Sequence, residues 1–276
     1  MGKPCAILMG SKPGSVVALS IMVERGWEIK AVVASPRNLH PWIAGPTLDA
    51  FASALGIPVF SQAELSEKQR ADFVISYMFR NRVRPEVLSL AERAAVNFHA
   101  GPLPEFGGWA FYSVAILENV REYGCTCHFM DNNFDTGPLL KVRRFPIDAS
   151  RETAYSLEQK TQTEMVRLFI DYCELAESGE ALPCEPQESH RMRYLRREEF
   201  DALKTIPPHA DAETIERYAR AFWYPPYACA QVAAGDRVVE VFPAIVREEL
   251  ARLLHSQDLR MLQDVALAAC RPQVAR

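Results

Sequence analysis

A chain of 276 residues that is 49% apolar, 24% charged and 10% aromatic has the composition of a folded protein: one large domain, or a main domain with a smaller one. Its formal net charge of −4 argues against a nucleic-acid binder, which normally carries a basic face. Seven cysteines without a Cys-x-x-Cys pair fit reduced thiols in a cytoplasmic protein, and no metal is expected, even at Cys125-Thr126-Cys127.

The first 150 residues alternate short apolar runs with amphipathic stretches, which predicts βα units around a mostly parallel, Rossmann-like sheet. The run Cys5–Met9, too short for a signal-peptide core or a membrane span, is the first strand. Gly10-Ser11-Lys12-Pro13-Gly14-Ser15 is either a tight turn or a phosphate cradle at a helix start, without the Walker or Gly-x-Gly-x-x-Gly spacing. A helix from Val16 stops at Gly26, and Ile29–Val33 is the second strand. A loop with Pro36, His40, Pro41 and Pro46 leads to a helix over Leu48–Leu55, closed by Gly56. Pro58–Phe60 reads as a short strand and Ser61–Glu64 as a capping box.

The apolar run Phe73–Met78 is the expected central strand, and Pro85 opens a helix to Glu92. The next strand carries Val96-Asn97-Phe98-His99 and ends at the turn Gly101-Pro102-Leu103-Pro104. A helix at Tyr112–Glu118 and strands at Gly124–Met130 and Leu139–Phe145 follow, with Asp135 in the loop between the strands. Glu158–Ser178 has apolar residues at intervals of three and four, a long amphipathic helix that Gly179 closes. Beyond Pro183 the chain reads as charged and irregular to Pro208. A helix at Asp211–Phe222, the aromatic-proline cluster Phe222–Tyr227, a β-piece at Val238–Phe242 and a helical tail from Arg247 complete it. This divides the chain into a main domain, 1–180, and a small C-terminal α+β appendix, 181–276.

Alternation puts Asn97 and His99 on one face of their strand and Val96 and Phe98 on the other. A strand-end histidine is as readily structural as catalytic, and a loop aspartate before Thr136-Gly137 is commonly a turn cap. Together they suit acid–base and oxyanion chemistry at a carbonyl: an imidazole, a carboxylate to orient it and an amide to donate. With no serine or cysteine nucleophile, the trio points to direct acyl transfer onto an amine. His128 reads as structural or substrate-facing. Arg191, Arg193, Arg196 and Arg197 read as a solvated face, with anion binding second. Trp223 and Tyr224 either pack the appendix or stack on a sugar or base.

Asn97-x-His99 with Pro102-Leu103-Pro104, then Gly124-x-Thr126-x-His128-x-x-Asp131 and Asp135-Thr136-Gly137, resembles the 10-formyltetrahydrofolate-dependent formyltransferases over residues 1–180. The resemblance implies catalytic roles for Asn97, His99 and Asp135, and a folate site at Met78, Phe79, Arg80, Asp131, Asn132 and Phe134. Gly101-Pro102-Leu103-Pro104 and Arg220–Tyr227 look like the sugar N-formyltransferase branch. That branch implies a nucleotide-linked amino sugar as acceptor, Ser11, Lys12, Trp109, Trp223 and Tyr224 as weaker substrate contacts, and a setting in lipopolysaccharide or O-antigen synthesis. Methionyl-tRNA or a carrier-bound amino acid is the alternative acceptor, and an inactive folate- or sugar-nucleotide-binding protein the alternative class. A dehydrogenase lacks its glycine fingerprint here. A homodimer through the C-terminal helix and aromatic cluster, or closure of these onto the main domain, stays open.

Overall fold

A computed structural model describes residues 2–34 and 45–269. Its first half runs β1 (Cys5–Gly10), α1 (Pro13–Glu24), β2 (Glu28–Ala34), α2 (Leu48–Ala54), β3 (Ala71–Tyr77), α3 (Pro85–Leu88) and β4 (Ala91–His99). A two-residue β5 (Gly107–Gly108), α4 (Phe111–Leu117), β6 (Glu122–Phe129), β7 (Leu139–Pro146) and the long α5 (Ala154–Ser178) come next. The C-terminal part holds β8 (Tyr194–Leu195), α6 (Arg197–Leu203), α7 (Ala212–Ala221), the hairpin β9 (Ala230–Ala234) and β10 (Arg237–Val241), and α8 (Ala244–Ala269). Among the described residues no helix is long and apolar enough to cross a membrane.

The main sheet has the order β2-β1-β3-β4-β6-β7. Its first four strands are parallel, β6 runs antiparallel to β4, and β7 antiparallel to β6. One face is the larger core. Ala6, Leu8, Phe73, Ile75, Val96 and Phe98 pack there against Leu19 and Met22 of α1 and Met165, Phe169 and Tyr172 of α5. Phe98 lies 5.6 Å from Tyr77 and 5.1 Å from Phe169, ring centroid to centroid. The opposite face carries Ile7, Met9, Val74 and Val87. The predicted alternation therefore holds: Val96 and Phe98 are fully buried in the larger core, which turns Asn97 and His99 to the other side.

Several elements differ from expectation. Among the described residues Pro58–Phe60 makes one bridge, Val32 to Val59, because the chain touches the sheet edge without running along it. Ser61 N–H does donate to Glu64, but a turn follows rather than a helix. The helix at Pro85 stops at Leu88, since Ala91 already pairs with Ala71 in the sheet. The stretch to Pro208 is not irregular: β8 pairs with β5, and α6 follows. Two-residue strands carry no periodicity to read. The Pro36–Pro41 part of the first loop lies outside the described residues.

The start of α5 is fixed by a capping box in which the Thr153 hydroxyl accepts from Ser156 N–H and the Ser156 hydroxyl accepts from Thr153 N–H. Thr153→Ala is expected to destabilise the fold by about 1 kcal/mol, lowering the melting temperature by about 2 °C in a thermal scan.

Candidate active site

A cavity of about 500 Å³ opens along the carboxyl ends of β1, β3 and β4, where the loops after those strands meet the loop after β6. Asn97, His99 and Asp135 all line it. Asn97 lies opposite His128 in the β4–β6 register, and His99 opposite Thr126, so pairing alone puts two imidazoles and an amide on one face.

Hydrogen bonds fix how each group is presented. Ser76 Oγ donates to Asn97 Oδ1 at 2.7 Å, which turns the Asn97 nitrogen the other way. That nitrogen lies 3.0 Å from His128 Nε2. His128 Nδ1–H donates to the Phe129 carbonyl at 2.8 Å, so Nε2 is the acceptor and Asn97 keeps a second N–H free. His99 Nε2–H donates to the Phe106 carbonyl at 2.7 Å, leaving Nδ1 facing Asp135 Oδ1 at 3.5 Å. The same carboxylate oxygen lies 3.7 Å from His128 Nε2, while Oδ2 accepts from Gly108 N–H at 3.2 Å.

Burial alone works to raise the Asp135 carboxyl. Positive charge on a protonated His99 or His128, the hydrogen bond a protonated His128 gives, and the Gly108 N–H more than offset it and hold the group well below the usual carboxylate range. Asp135 is therefore a carboxylate at neutral pH. A proton taken up at His99 Nδ1 lands between the ring and this anion. Nearby thiols offer no nucleophile: burial pushes Cys125 up to about 12, and Cys127 well above its ordinary value.

Backbone strain gathers at the same place. Met78, Ala110 and Asp135 have φ of 51°, 55° and 56°, and all three line the cavity. Asp135 is held in this conformation by Gln187, whose amide donates to the carbonyls of Asp135 at 2.8 Å and Gly137 at 2.7 Å. Arg193 and Leu195 carbonyls accept from Gly107 and Trp109 N–H at 3.1 Å and 2.9 Å. Residues 185–195 thus clamp both loops that carry the site. Gln187→Ala is expected to lower kcat by about tenfold, with the melting temperature little changed; steady-state kinetics beside a thermal scan would check it.

The Formyl transferase family model matches residues 61–172. A methionyl-tRNA formyltransferase of Nitrosospira multiformis is 30% identical over 227 residues, covering 78% of this chain and 72% of that protein. The chain belongs to the formyltransferase family. A GDP-perosamine N-formyltransferase of Brucella melitensis is 28% identical over 182 residues, covering 64% of this chain and 68% of the relative. Among solved structures, the N-formyltransferase of Helicobacter canadensis, crystallised with folinic acid and dTDP-3-aminofucose, superposes with a TM-score of 0.70. It is 21% identical and covers 83% of this chain and 84% of that one. These likenesses agree with the mostly parallel sheet and make this formyltransferase a formyl-transferring enzyme.

Of the residues singled out in its sequence, Met78, Phe79, Arg80, Asp131 and Phe134 line the cavity with the trio, as do Lys12, Trp109 and Tyr224. Three others are not on its wall. Ser11 Oγ accepts from Arg80 N–H at 3.3 Å, the Asn132 carbonyl accepts from Arg82, and the Trp223 ring packs on Phe242 with centroids 5.6 Å apart. Within Gly10–Ser15 only Ser11 and Lys12 link β1 to α1, and Ser15 N–H donates to the Lys12 carbonyl in the first helical turn. Tyr224 is not confined to the C-terminal core; its hydroxyl reaches Lys12 and Glu158. Gln187, Glu158 and the hydrogen bond from Ser76 to Asn97 escaped sequence reading. The face-sharing of Thr126 and His128 could have found His128's place beside Asn97, once β6 was paired with β4.

Proposed function

We propose that this enzyme moves the formyl group of 10-formyltetrahydrofolate to the primary amine of a nucleotide-linked amino sugar. The observation that carries the reading is the convergence of Asn97, His99 and Asp135 in one cavity, where the neighbouring Ser76 hydroxyl is committed to Asn97 rather than to either imidazole. The site suits the co-substrate: Met78, Phe79 and Phe134 make an apolar wall for a flat heterocycle, and Phe134 is 47% exposed until something covers it. The amine attacks the formyl carbon, and the bond to the carrier nitrogen breaks. The free Asn97 N–H donates to the oxygen as it gains charge. His99 and Asp135 hold the proton the amine loses and return one to the departing nitrogen. On this reading residues 1–180 carry the chemistry and 181–276 complete the cavity.

Sugar acceptors draw support from the Brucella relative and the Helicobacter structure, both named for amino-sugar ligands or activity. The test mixes the enzyme with 10-formyltetrahydrofolate and dTDP-3-aminofucose or GDP-perosamine and follows release of tetrahydrofolate. The second reading, methionyl-tRNA as acceptor, rests on the 30% identity to the Nitrosospira enzyme. Formylation of methionyl-tRNA without any amino-sugar turnover would install it, and tRNA affinity should then fall steeply with salt.

A further inference from the structure

The cavity contains a second polar cluster that the formyl-transfer trio does not use. Lys12, before α1, places Nζ 2.9 Å from Glu158 Oε1 of α5 and 2.9 Å from the Tyr224 hydroxyl. Tyr224 in turn donates its hydroxyl proton to Glu158 Oε2. Lys12 and Glu158 side chains are each only 12% exposed. Three distant stretches of chain thus converge to bury an ion pair, an arrangement that rarely gains stability over apolar packing. Beside it stands Tyr112 of α4, 6% exposed and on the same cavity wall. Its hydroxyl makes no hydrogen bond among the described residues, the Gln162 side chain lies close enough to act on it, and Gln162 Oε1 is also unpartnered. Burial, and then the nearby Glu158 charge, hold the Tyr112 phenol well above its ordinary value, so it keeps its proton.

The chemistry of the cluster selects among ligands. One cation and one anion cancel, so it offers no net attraction to a diphosphate, and Glu158 would repel one. What remains is a spare ammonium N–H on Lys12, spare lone pairs on Glu158, and the unused Tyr112 O–H. That set of donors and acceptors matches neighbouring alcohol groups, each of which both donates and accepts. We propose that Lys12, Glu158, Tyr224 and Tyr112 form a hydroxyl-reading subsite that binds the ring hydroxyls of the acceptor sugar and selects for them. The inference rests on the amino-sugar reading of the acceptor.

Calorimetric binding of dTDP-3-aminofucose and of dTDP alone, to the full chain and to Tyr112→Phe and Glu158→Gln, tests it without turnover. Tyr112→Phe deletes a hydroxyl with no partner, so its thermal melt should match or exceed wild type. It should bind the sugar nucleotide about tenfold more weakly, with dTDP affinity unchanged. Glu158→Gln should weaken the sugar nucleotide by a similar factor and also spare dTDP. Equal loss for both ligands, no loss for either, or no binding of the sugar nucleotide by wild type overturns the subsite. Formyl transfer measured in parallel separates the two readings. A wild type that binds the sugar nucleotide but never formylates it counts against the assigned reaction, while the binding contrast still decides the subsite.

Discussion

Asp135→Asn is expected to lower kcat for formyl transfer by roughly a thousandfold while leaving the chain folded. The carboxylate has two effects that an amide cannot reproduce. It is an anion 3.5 Å from His99 Nδ1, so it stabilises a proton arriving there, and its partners keep it ionised well into acid. Asparagine is nearly isosteric, so Gly108 N–H can still be accepted and the loop still held by Gln187 through the backbone. His99→Asn should fall by a similar factor, and the double variant by little more than either single, because the two residues act as one unit. Single-turnover kinetics with saturating substrates are the measurement. Turnover of Asp135→Asn within a few-fold of wild type would remove the assigned role.

The second large effect is structural. A Cβ built on Gly137 would sit 1.9 Å from the Phe129 carbonyl oxygen and 2.8 Å from its carbon. Both obstacles are backbone, locked where Phe129 N–H donates to the Pro138 carbonyl. No side chain can turn aside to make room, so the loop from Asp131 to Gly137 must move. Gly137→Ala is expected to destabilise the fold by about 3 kcal/mol, and the displaced loop should carry Asp135 away from His99. Urea unfolding should show a lower midpoint with an unchanged slope, and formyl transfer should drop at least as far as in Asp135→Asn. A variant with native stability and native activity would mean that the loop tolerates an opening these contacts forbid.

Much of this site was legible because strand alternation is a strict geometric rule. Knowing that Val96 and Phe98 are apolar was enough to turn Asn97 and His99 together, and the buried Phe98 ring bears that out. The long helix was equally plain, with Thr161, Met165, Leu168, Phe169 and Tyr172 all buried. Interactions between distant segments were not legible. Nothing around Gln187 indicates that its amide will hold the Asp135 loop 52 positions away. Glu158 stood out only as the first residue of a helix, because only the folded chain brings Lys12 and Tyr224 to it. The helix at Pro85 was overread because its sequence says nothing about when the sheet requires the chain back.

The stretch that matches the family ends at residue 172, before Gln187 and before the carbonyls of Arg193 and Leu195. A fragment cut at that edge would keep Asn97, His99 and Asp135, the residues proposed to react, and lose what holds their loops in place. During synthesis the sheet, the histidine and the aspartate are all laid down first, and the groups that lock them arrive last. On the proposed roles the site is therefore complete only when the chain has been made well past residue 195, because Phe200, Lys204, Phe222 and Tyr224 also wall the cavity.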